Sequence, residues 1–152
     1  MTTMNKIILE SATIPHVDLD FMNQTHFEEI EMVKELGELL ETYQQSDEPT
    51  ASETQQITAF LDKWLEHTKA HFARENGLML EIGFPMIVVH KSEHEQVLGE
   101  MMMMVESWQT DYDIEAVAHY VFSLWPSWFG NHVNSMDMMT ARFAVMSGYE
   151  PH

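Results

Sequence analysis

Two pairs of side chains spaced four residues apart, His71-x-x-x-Glu75 and His90-x-x-x-His94, flank a Gly83-Phe84-Pro85 break. On a helix, residues four apart lie on one face, one turn above each other, so each pair presents two ligand atoms to one point in space. A break this short makes two such helices antiparallel neighbours, and the pairs then face each other where a helical protein keeps its core. Three imidazoles and a carboxylate converging there have the chemistry of a metal site. The chain has no cysteine, which excludes disulfides, thiolate ligation and thiol catalysis, so a buried metal must take nitrogen and oxygen ligands.

The elements that must position these groups are legible in the apolar spacing. Met22, His26, Ile30, Val33, Gly37 and Leu40 form one helical stripe running from about Leu19 to Tyr43. Gln44 to Ser52 reads as a loop, and Ser52 with Gln55 resembles a capping box opening a second helix. That helix carries Ile57, Leu61, Trp64, Thr68, His71, Glu75, Leu78 and Ile82, with Gly83 as its stop and Pro85 barring continuation. The third stripe is Ile87, His90, His94, Val97, Met101, Met104 or Val105, and Trp108. The fourth, capped by Asp111 or Asp113, is Ile114, Ala118, Val121, Trp125, Trp128 and His132, with a kink expected at Pro126. A short last helix is expected over 137–145. Four helices with short connections predict an all-α, up-down-up-down four-helix bundle over 19–152, preceded by an N-terminal arm over 1–18.

His26, His71, His90, His94, His132 and Glu75 all occupy stripe positions where packing alone would place Leu or Ile. Burying such groups without partners costs roughly 2–7 kcal/mol apiece, a sum comparable with the ~5–15 kcal/mol stability of a whole domain. They must be satisfied together. Five imidazoles exceed the needs of one ion, so two ions bridged by carboxylates is the economical reading, with Glu75 as the first bridge. Asp137 is the second candidate. Five residues advance a helix by about 500°, leaving Asp137 some 140° from His132, so it reaches the site only if the helix bulges or ends between them.

This ordered set resembles the hemerythrin family from about His26 to Phe143. The family's signature is a lone His on the first helix, H-x3-E on the second, H-x3-H on the third and H-x4-D on the fourth. Here these are His26, His71/Glu75, His90/His94 and His132/Asp137. The resemblance implies a non-haem di-iron centre: His90, His94 and His132 on one iron, His26 and His71 on the other. Glu75 and Asp137 would bridge both, together with an oxo or hydroxo group. It further implies an open position for dioxygen in a dry apolar lining, for which Ile30, Trp64, Phe72, Leu78, Val97 and Trp128 are candidates. A reductase keeping the iron ferrous is an implied partner. The chain departs from the family at Asn23, where bacterial members often carry Asp, and it lacks their Trp in the arm.

The expected function is therefore reversible dioxygen binding, for transport, storage or sensing, rather than catalysis. Nitric oxide binding or iron handling for repair at the same site is the alternative within the family. A di-iron oxidase of the ferritin type would need Glu-x-x-His motifs, and no His here has Glu three residues before it. Seven basic against twenty-five acidic residues, a formal charge of −18, argue against nucleic-acid or anionic-membrane partners. The only apolar run near the start is Ile7 to Leu9, and no run approaches a membrane span, so a cytoplasmic protein is expected. His16, His67, His119 and His152 read as ordinary solvated histidines, and Glu28, Glu29, Glu31, Glu35 and Glu38 as the solvated face of the first helix. Met101 to Met104 read as core filler plus exposed side chains.

Overall fold

The computed structural model describes residues 14–150. Four long helices account for nearly all of them: α1 (Asp20–Gln45), α2 (Ala51–Ile82), α3 (Ile87–Asp111), and α4, which begins at Ile114 and runs to Met146. Each helix packs on its neighbours in sequence, and α1 closes against α4. With connections of only a few residues this is an up-down-up-down bundle.

The ends of the helices follow from local chemistry. Before α2 the Thr50 hydroxyl accepts from the Glu53 N–H at 3.1 Å, and the Glu53 carboxylate accepts from the Thr50 N–H at 2.8 Å. The capping box is thus Thr50/Glu53 rather than Ser52/Gln55, because the loop is shorter than the spacing suggested; such a cap contributes about 0.5–2 kcal/mol. At the other end Gly83 adopts φ 66°, and the Phe84 N–H returns to the Met79 carbonyl at 3.0 Å. That left-handed turn brings α3 back antiparallel, as the Gly-Phe-Pro break predicts. Asp113 is the cap of α4, accepting from the Ala116 N–H at 3.2 Å.

The fourth helix departs most from the stripe reading. Ile114–His119 passes into a wide π turn at Tyr120–Leu124, then Trp125–His132, a second π turn at Val133–Asp137, and Met138–Met146. The joining residues keep right-handed helical angles, so this is one continuous helix and not a helix with a separate short one after it. Pro126 has no N–H and its ring crowds the carbonyl four residues back; the first π turn, ending at Leu124, loosens the ladder just before it.

Leu36, Leu40, Ile57, Leu61, Trp64, Met101, Trp108, Val121 and Trp125 are buried in the core, each aliphatic side chain contributing about 1.5–3 kcal/mol. Met101 and Met104 are buried while Met102 and Met103 are exposed, as one helical face requires. Of the expected arm, residues 1–13 lie outside the described residues. Its last part is packed down: Ile14, Val17 and Leu19 join the core. The Asn23 amide accepts from the Val17 N–H at 2.8 Å and donates to the Val17 carbonyl at 2.9 Å. An aspartate there could only accept, so Asn23 matches both backbone groups of the arm.

Candidate metal centre

All seven residues selected from the sequence are buried, and they meet in the bundle as two groups that share acids. Glu75, His90, His94, His132 and Asp137 bring ligand atoms within 4.8 Å of one another, and so do His26, His71 and Glu75. In the first group His132 Nε2 lies 3.2 Å from both His90 Nε2 and His94 Nε2. Glu75 Oε1 stands 3.1 Å from His94 Nε2, and Asp137 Oδ1 stands 3.0 Å from His90 Nε2 and 3.2 Å from His132 Nε2. In the second, Glu75 Oε2 is 2.9 Å from His71 Nε2 and Asp137 Oδ2 is 2.8 Å from His26 Nε2. Each carboxylate therefore gives one oxygen to each side.

Asp137 reaches this position through the second π turn, which closes five residues in one wide turn and brings it beneath His132. The bulge required by the H-x4-D spacing is present.

The outer ring nitrogens show which way the lone pairs point. His94 Nδ1 donates to Asn76 Oδ1 at 2.9 Å, and His132 Nδ1 donates to Glu93 Oε1 at 2.8 Å. His71 Nδ1 donates to Glu29 Oε2 at 3.2 Å. His90 Nδ1 donates to Thr140 Oγ1 at 2.8 Å, while the Thr140 hydroxyl is directed at Met79 Sδ. With Nδ1 donating outward, these four rings turn Nε2 inward, where it carries a lone pair whenever the ring is neutral. His26 Nδ1 has no partner among the described residues.

Among the described residues Glu75 Oε1 and Asp137 Oδ1 are buried without a hydrogen bond although imidazole nitrogens surround them. Acceptors facing acceptors in a dry interior are unfavourable unless positive charge lies between them. The donor set therefore fits cations, and imidazole with carboxylate and no sulfur suits iron, and also zinc, copper or manganese.

In the metal-free state, protons supply the positive charge. Burial opposes protonation, yet Asp137 and Glu75 raise His90 to about 9, while Glu75 and Glu29 hold His71 well above its ordinary value. His94 is pushed down, by burial first. Burial would raise Asp137, but His132, His26 and His90 hold it well below the usual carboxylate range.

A family model described as the hemerythrin HHE cation binding domain matches residues 17–143. The chain belongs to the hemerythrin family. It is 36% identical over 98 residues to the bacteriohemerythrin of Ralstonia nicotianae, covering 64% of this chain and 69% of that one. It is 27% identical over 122 residues to the bacteriohemerythrin of Aquifex aeolicus, covering 80% of this chain and 86% of that one. No solved structure matches it at the same level of significance.

Around the hemerythrin-type ligand set the packing is aromatic. Phe72 stacks on His94 with centroids 4.0 Å apart, Trp128 stacks on His132 at 4.5 Å, and Phe129 meets His26 edge-on at 5.6 Å. Ile30, Leu78 and Val97 are buried as expected. Trp64 is buried as well, and its indole donates to Glu29 Oε1 at 2.9 Å.

Glu29 corrects the reading of the first helix as carrying a solvated acidic face. It is buried, and it draws the solvent-assigned His67 into the structure, with His67 Nδ1 at 2.9 Å from Glu29 Oε2 and His67 Nε2 at 3.2 Å from Glu28 Oε1. The signal was in the chain: Glu29, Val33, Leu36 and Leu40 repeat at four, three and four. His16 and His119 are exposed, as expected, and His152 lies outside the described residues.

Proposed function

We propose that this chain binds dioxygen reversibly, as a carrier, store or sensor rather than a catalyst, at a non-haem di-iron centre. His90, His94 and His132 would hold one iron, His26 and His71 the other, and Glu75 and Asp137 both, with an oxo or hydroxo group completing the bridge. When bound, such a pair of irons supplies two electrons and, on the side with only two imidazoles, an open position for a diatomic ligand. The observation that carries this reading is the division of each carboxylate: one oxygen of Glu75 and one of Asp137 to the three-histidine side, the other to the two-histidine side. The name bacteriohemerythrin, borne by relatives at 36% and 27% identity, supports it further.

The protein's own part is to orient and to exclude water. Hydrogen bonds at Nδ1 fix four imidazoles with Nε2 inward. Phe72, Phe129 and Trp128 cover the faces and edges of the rings, and a dry surround keeps proton leakage and solvent from diverting a bound diatomic. A reductase that returns the iron to the ferrous state completes the proposal. No helix among the described residues is long and apolar enough to cross a membrane.

The test is absorption spectroscopy on reduced, iron-loaded protein. Exposure to air should produce a visible charge-transfer band that disappears on deoxygenation and returns over repeated cycles. A protein that retains iron and shows no oxygen-dependent band, or bleaches irreversibly in the first cycle, overturns it.

A further inference from the structure

Glu29 is the one buried acid among the described residues that belongs to neither group of converging ligand atoms. Its surroundings are built for a carboxylate. Trp64 Nε1 donates to Oε1 at 2.9 Å, and the Thr68 hydroxyl lies 3.3 and 3.2 Å from the two oxygens. His67 Nδ1 and His71 Nδ1 donate to Oε2 at 2.9 and 3.2 Å. All four donors come from consecutive turns of one face of α2, so a single acid on α1 is clamped against the helix that carries His71 and Glu75. An apolar side chain would fill the place at no desolvation cost; a carboxylate is held there only by these bonds.

The other ligand imidazoles are braced differently. His90 leans on a hydroxyl and His94 on an amide, both neutral, and His132 leans on Glu93, which is partly open to solvent. Among the described residues His26 has no brace at Nδ1. The two-histidine side therefore has one held ring and one unheld ring, and the held one is backed by a buried anion. A carboxylate accepting from Nδ1 fixes the tautomer and raises the basicity of Nε2.

We infer that Glu29 is a positioning residue for His71, supplying the two-histidine side of the centre with the orientation and donor strength that His26 lacks. The inference rests on the two-ion reading above. It gives the two positions separate controls: Glu29 governs retention of the cation at His26 and His71, while Asn76, Thr140 and Glu93 govern the other.

The test is a titration of metal-free wild type and variants with cobalt(II), read by visible ligand-field absorption and by calorimetry. Wild type should take up two equivalents. Glu29→Gln should bind one of them as wild type does and the other about 10- to 100-fold more weakly, and Glu29→Asp, which keeps the charge, should recover most of the loss. Thr68→Val keeps the carboxylate and its bond to His71 while removing one clamp; it should loosen the same equivalent to a smaller extent, and it decides the matter if Glu29→Gln does not fold. Equal weakening of both equivalents, or no weakening, overturns the inference. A wild type that takes up fewer than two equivalents instead overturns the two-ion reading, and this inference with it.

Discussion

Asp137 follows His132 by five residues, yet its Oδ1 lies 3.2 Å from His132 Nε2. A regular α-helix would point the two some 140° apart; the π turn at Val133–Asp137 absorbs one extra residue and aligns them. Deleting the exposed Ser135 should therefore leave the centre intact, because His132 and the acid then stand four apart on an ordinary helix. Adding one alanine beside Ser135 should turn the acid away by about 100° and abolish binding of the bridged pair. Metal content of the two variants distinguishes them, and a deletion variant that loses its metals would show that the wide turn does something else.

Thr140 is fully buried and accepts from His90 Nδ1 at 2.8 Å. Thr140→Val keeps the shape and leaves that N–H unpaired, which costs about 1–3 kcal/mol. At about 2–4 °C per kcal/mol for a chain of this length, thermal unfolding should show a fall of about 2–12 °C. No fall would mean that water replaces the hydroxyl.

Removing metal should expose the conflict among the converging acceptors. A cation present at a hundred times its dissociation constant stabilises by about 2.7 kcal/mol, so adding iron(II) to chelator-treated protein should raise the melting temperature by about 5–11 °C. Replacing His94 with Ala should remove the part of that rise due to the three-histidine side. An unchanged melting temperature in wild type would contradict a metal site in the bundle.

The His67 side chain offers a pH dependence whose sign is fixed. Its hydrogen bond to Glu29 raises it above 6.5 against the effect of burial, and the charge of Glu29 and the bond to Glu28 add to the rise. A group whose folded value is raised stabilises most below its unfolded value and loses that contribution as pH climbs through the folded one. The stability of metal-free wild type over His67→Gln, measured by urea unfolding, should therefore be largest below the ordinary histidine value of about 6.5 and shrink as pH climbs above it. A gap that stays constant or widens would refute the assignment.

The ligand set was legible because polar groups on apolar stripes stand out. His26, His71, Glu75, His90, His94 and His132 each interrupt a run of Leu, Ile, Val and Trp at three- and four-residue spacing. Asp137 was legible from the sequence only on condition of a bulge, since the regular helical period points it elsewhere, and the family's H-x4-D spacing then singled it out. The braces behind the rings were missed for a different reason. Asn76, Glu93 and Thr140 sit beside the stripes, not on them, and their roles depend on how neighbouring helices are rotated. Glu29 was hidden among Glu28, Glu31, Glu35 and Glu38, where composition reads as a solvated face although its spacing to Val33 and Leu36 marks it as inward.

The central claim is that two ions share Glu75 and Asp137 inside the bundle. Diffraction from crystals of iron-reconstituted protein, with anomalous data at the iron edge, measures it directly. The account predicts two peaks per chain, one among His90, His94 and His132 and one between His26 and His71, both in contact with Glu75 and Asp137. A single peak, or iron held only at surface acids, would contradict it.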